Sequence, residues 1–114
     1  MLAMIDLGAT FKDNLQLLPP IDHLARIDLV NMQGTVIAII ENQPGKQGSV
    51  AVYNYLAQLY GHLDAKAAAH GLLVFAEHTM DACNRPGAHP NIDRLLEIEA
   101  GESPLAIQPV TADR

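Results

Sequence analysis

The longest uninterrupted apolar runs in this chain, Val36–Ile40 and Leu72–Ala76, are five residues each. A bilayer crossing needs roughly 18 to 20 consecutive apolar residues, so no membrane partner is expected. Apolar segments this short are buried only by packing on one another, which demands a globular fold. Hydrophobic residues make up 49% of the chain and charged residues 18%, enough apolar surface for one packed core. The 114 residues fit a single domain, expected over 1–114 with an ordered core over about 10–101. Cys83 is the only cysteine, so no internal disulfide can form. The opening MLAMIDLGATF has neither the basic region nor the apolar stretch of a signal peptide, and a cytoplasmic location is expected.

Charge narrows the partners. Acidic residues outnumber Lys and Arg 13 to 7, for a formal charge of −6. Nucleic acid is repelled at long range by such a chain. An aromatic content of 4% also leaves few rings for stacking on single-stranded bases.

Breakers and periodicity divide the chain into short elements. Thr10 with Asp13 reads as the start of a helix through Phe11, Leu15 and Leu18, stopped by Pro19-Pro20. Ile21–Val30 alternates, with Ile27 and Leu29 on one face and Arg26 and Asp28 on the other, as in a strand with one wet face. After a turn at Asn31–Gly34, Thr35–Glu41 predicts a second strand, apolar on both faces, completing a hairpin. Asn42–Ser49 is the densest cluster of breakers, and Ser49 is expected to cap a helix that runs to Tyr60 and ends at Gly61. Asp64 would cap a shorter alanine-rich helix ending at His70-Gly71. Leu72–His78 predicts a third, central strand because it is apolar on both faces. A last helix begins near Pro90, and Leu105–Val110 would be an edge strand, demoted by Pro109. The fold class is therefore α+β. A small mixed β-sheet, the hairpin plus a central third strand, is packed by helices in the order (α)ββααβα(β).

The stretches NQPGKQGSVAVYNYL (Asn42–Leu56) and EHTMDACNRPGAHPNIDRLL (Glu77–Leu96) resemble a small bacterial family catalogued as a domain of unknown function. LPPIDHLARIDLV (Leu18–Val30) fits it too, so the resemblance covers about residues 10 to 97. It implies a bacterial single-domain protein and carries no reaction with it.

Residues able to do chemistry concentrate in one place. Between Glu77 and Arg94 lie Glu77, His78, Asp81, Cys83, Arg85, His89, Asp93 and Arg94. A histidine held by a carboxylate moves protons near neutral pH, and an arginine fixes an anion. His78 or His89 with Asp81 or Glu77 are the acid–base candidates, and Arg85 and Arg94 are candidate anion ligands. A metal reading through His78 and His89 lacks a recognised ligand spacing. Cys83 reads as a filler rather than a nucleophile. The bland alternative makes the whole segment helix caps and surface ion pairs.

A second feature is PGKQGS, Pro44–Ser49, joining a strand to a helix N-terminus whose unpaired amides favour anions. It is not a phosphate-loop signature, since Ile40 replaces the first glycine and Gln47 follows the lysine. Should the strands Thr35–Glu41 and Leu72–His78 run parallel, Lys46, Gly48 and Ser49 would face the histidine segment across one crevice. The expected function is then binding of an anionic small molecule, with no cofactor. The rivals are a metal site and a homodimer pairing through the wet strand Ile21–Val30.

Overall fold

The computed structural model describes residues 4–112. Five helices and four strands follow one another along the chain. They are α1 (Phe11–Leu17), β1 (Leu24–Val30), β2 (Val36–Glu41), α2 (Gln47–Tyr60), β3 (His62–Leu63), α3 (Ala65–Phe75), α4 (Glu77–Asn84), α5 (Pro90–Glu99) and β4 (Leu105–Thr111). The fold is α+β. No helix among the described residues is long and apolar enough to cross a membrane.

The sheet has the order β2-β1-β4-β3, and every neighbouring pair is antiparallel. It is therefore not mixed. Ile27 pairs with Ile40 and Leu29 with Ala38, so these side chains share the face turned to the helices. Ile27, Leu29 and Ile40 meet Val52, Tyr53 and Leu56 of α2, and Leu95 of α5, in one buried core. The opposite face carries Arg26 and Asp28, whose Nε and Oδ1 atoms are 2.8 Å apart.

Five expectations about the elements are corrected. Leu72–His78 is not a strand: Leu72–Phe75 is the last turn of α3, and Glu77 and His78 open α4. Gly71 does not stop a helix but lies inside α3, where an added Cβ would come within 2.9 Å of Leu56 and 3.0 Å of Leu95. Its missing side chain lets α2, α3 and α5 approach one another. The hairpin's second strand, apolar on both faces, is an outer strand with Ile37 and Ile39 53% and 51% exposed. The wet strand Ile21–Val30 is central rather than an edge, so dimerisation through its edge falls. Finally, β4 is an inner strand despite Pro109. β3 reaches only Leu105 and Ala106 of β4, leaving Pro109 with β1 as its sole strand neighbour.

Other local signals hold. Thr10 Oγ1 accepts from the Asp13 amide at 3.2 Å, and Asp64 Oδ1 from the Ala67 amide at 2.9 Å. Asn31 Oδ1 accepts from the Gln33 and Thr35 amides and shapes the hairpin turn.

Candidate functional site

The parallel pairing that would have joined the two polar segments does not exist, because one of its strands is a helix. The segments meet by a different route. β2 delivers the chain through the Pro44-Gly45 turn, with Gly45 at φ +89°, to Lys46, which is the N-cap of α2. The N-cap of α2 thus falls three residues before Ser49, the expected cap. The helical pair α4–α5 brings His78 and the Ala88–Arg94 stretch opposite, and α1 lies across with Phe11 and Leu15. Together they enclose a crevice of about 800 Å³.

Six of the residues singled out in the sequence line this crevice: Lys46, Gly48, Ser49, His78, His89 and Arg94. Glu77, Asp81 and Arg85 do not. Glu77 Oε1 accepts from the Phe11 amide at 2.8 Å, and this bond does most to hold its carboxyl below the usual range. Glu77 therefore fastens α1 to α4 and does not face the crevice. Asp81 binds Arg85 through both carboxylate oxygens and accepts from His89 Nε2 at 2.6 Å. The Arg85 bonds first, then that from His89, hold the Asp81 carboxyl far below the usual carboxylate range. An ionised carboxylate only accepts, so Nε2 of His89 is the donor in this bond. Arg85, with its side chain 63% exposed, serves Asp81 and lies outside the lining.

Arg94 is placed without any acid. Its Nη1 donates to Asn91 Oδ1 at 2.9 Å and to the Tyr53 hydroxyl at 3.2 Å. That hydroxyl in turn donates to the Asn91 carbonyl at 2.6 Å. Burial pushes the Tyr53 hydroxyl up to about 12, so it stays a neutral donor. Neither Arg94 nor Lys46 has a carboxylate partner among the described residues. The cap positions of α2 and α5, Lys46 and His89, provide no side-chain hydrogen bond to their helices. The first-turn amides of α2 at Gln47, Gly48 and Ser49 thus lack a side-chain cap, and all three residues line the crevice.

The apolar wall went unseen in the sequence. Both phenylalanines of the chain line the crevice and stack on each other, with ring centroids 5.2 Å apart and planes at 27°. His78 meets the Phe11 ring edge-on at 5.2 Å, and the His78 and His89 rings lie 5.9 Å apart. An available signal was the scarcity of aromatics: only two phenylalanines in the chain, one in the short helix read at Thr10–Leu18. For the metal alternative, no group of three or more His, Cys, Asp or Glu side chains gathers around a common point among the described residues. Cys83 is exposed and in no disulfide.

Fold and site together define an antiparallel-sheet α+β protein with a carboxylate-free crevice at the outer strand of its sheet. The chain belongs to DUF2322, a family described as an uncharacterised protein conserved in bacteria, which it matches over residues 11–109. No curated protein and no solved structure matches it.

Proposed function

We propose that the crevice binds an anionic small molecule. Arg94 and Lys46 provide fixed positive charge, the first-turn amides at Gly48 and Ser49 donate hydrogen bonds, and His78 and His89 add titratable donors. One observation carries this reading. A chain with 13 acidic residues places none of them among the 17 that line this crevice, where two cations and two histidines stand. Field lines from those cations are concentrated by the apolar walls and attract an anion despite the negative whole.

Thermal melting against inorganic phosphate, sulfate, acetate and citrate tests the reading. A ligand at one hundred times its Kd stabilises by about 2.7 kcal/mol, a large and concentration-dependent shift. Arg94→Ala and Lys46→Ala should each move the dose response to higher concentration. Flat melting curves across the panel, or unchanged responses in both variants, overturn it.

The Asp81–His89 bond favours a second activity in the same place, proton transfer by His89 oriented by Asp81. Nitrogen NMR of the His89 ring is expected to show Nε2 protonated in the native protein. Loss of that preference in Asp81→Asn supports the pair, and a ring indifferent to the substitution removes it.

A further inference from the structure

We infer that the ligand is an anion mounted directly on a flat apolar ring, an aryl carboxylate or aryl phosphate. This inference rests on the anion-binding reading and specifies the class of molecule. The crevice is mixed in character. Lys46, Arg94 and the start of α2 contribute positive charge and donors to its lining, while Phe11, Phe75, Ile39 and Ile92 contribute apolar surface. A volume of about 800 Å³ lies within the range of sites for organic ligands, far beyond what an inorganic ion fills. Seated alone, such an ion would leave Ile39, 51% exposed, and the half-buried Phe11 in contact with water.

The two kinds of surface abut, and Gly48 is the reason. A Cβ at Gly48 would stand 3.0 Å from Phe11 Cε2 and 3.1 Å from Cζ, so the Phe11 ring lies flush against the first turn of α2. The donors for the charge and the surface for the body are therefore one contact apart. A ligand using both has its charge on the ring or one atom away from it. A long flexible chain between head and body would overshoot. The shape of the apolar surface also favours a ring over an aliphatic body. Phe75, Phe11, His78 and His89 form a continuous series of rings at 5.2, 5.2 and 5.9 Å, whose faces and edges suit another aromatic ring.

Phenyl phosphate against inorganic phosphate, and benzoate against acetate, provide the test by calorimetric titration and melting. Burial of one ring predicts at least about tenfold tighter binding for each aryl member. Phe11→Leu keeps apolar volume but removes the ring, and should shrink the phenyl phosphate advantage to less than threefold. A folded Phe11→Leu protein is verified by its far-UV spectrum. If that variant fails to fold, Ile92→Ala, on the same wall, replaces it and should likewise shrink the ratio. Equal binding of aryl and inorganic members overturns this inference and leaves the anion reading standing. Binding of no member overturns both, and an aryl advantage indifferent to both variants overturns the assignment of the wall.

Discussion

Ala76 adopts φ 52° and ψ −119°, and it is the only non-glycine residue with positive φ among those described. Its neighbours explain why the strain is sustained. The Ala76 amide bonds back to the Leu73 carbonyl at 3.1 Å, the Thr79 amide bonds to the Ala76 carbonyl at 3.0 Å, and the Thr79 hydroxyl donates to the Leu72 carbonyl. The corner so fixed carries Phe75 on one side and His78 on the other, both in the crevice. A side chain in left-handed space costs about 1–2 kcal/mol, from crowding of Cβ against the backbone. Ala76→Gly removes that crowding but gives the unfolded chain extra freedom worth about 0.4–1 kcal/mol. The net expectation is a gain of about 1 kcal/mol. At about 2.1 cal/mol/K of unfolding entropy per residue, a chain of 114 residues converts this to a Tm rise of about 4 °C. Differential scanning calorimetry reads it, and urea unfolding should show a higher midpoint with unchanged slope. Ala76→Val, bulkier and branched at Cβ, must lower Tm. A lower or unchanged Tm for Ala76→Gly would refute the claim that this corner is strained.

Gly71→Ala improves helix propensity by about 0.8–1 kcal/mol but forces a methyl onto Leu56 and Leu95, both fully buried, at a cost of about 1–3 kcal/mol. Calorimetry should therefore show a lower Tm for this variant. Asp81 has a folded pKa below its unfolded value of about 3.9, so its stabilisation is complete above that pH and is lost as pH falls through the folded value. The stability gap between native protein and Asp81→Asn should accordingly close in acid; a gap constant from pH 7 to pH 2 would contradict the pairing. The Tyr53 hydroxyl, pushed up to about 12, makes its contribution below pH about 10 and loses it as pH rises through 12. Ultraviolet titration should find a component ionising near pH 12, and Tyr53→Phe should remove it and cost about 1 kcal/mol at neutral pH.

Local chemistry was legible and long-range arrangement was not. Thr10, Asn31, Gly61, Asp64 and Pro90 act within a few residues of themselves, so their roles as caps and turns could be read directly. Leu72–Phe75 could not be, because four apolar residues in succession fit a buried strand as well as a buried helical turn. Gly71 tipped the reading wrongly: a glycine near an alanine-rich end looks like a terminator, and only the opposing leucines show that it makes room. The outer position of β2 depends on β4, which arrives some 70 residues later to take the other side of β1. In the site, Lys46, Gly48, Ser49, His78, His89 and Arg94 were visible as charges and breakers. Phe11, Phe75 and Asn91 were not, since an apolar residue in a helix or a buried strand reads as core and an asparagine after proline as a cap.

Helix α1 has seven residues, too few to persist in water unaided. Its hold on the rest includes Glu77 at the Phe11 amide and Asn14, fully buried, whose side-chain amide donates to the Val74 carbonyl at 3.0 Å. One flank of the crevice is thus held by these side-chain bonds and by the Phe11–Phe75 stack, while α2 and α5 are built into the core. Releasing those bonds would bare Phe11 and Phe75 while leaving every strand pairing of the sheet in place.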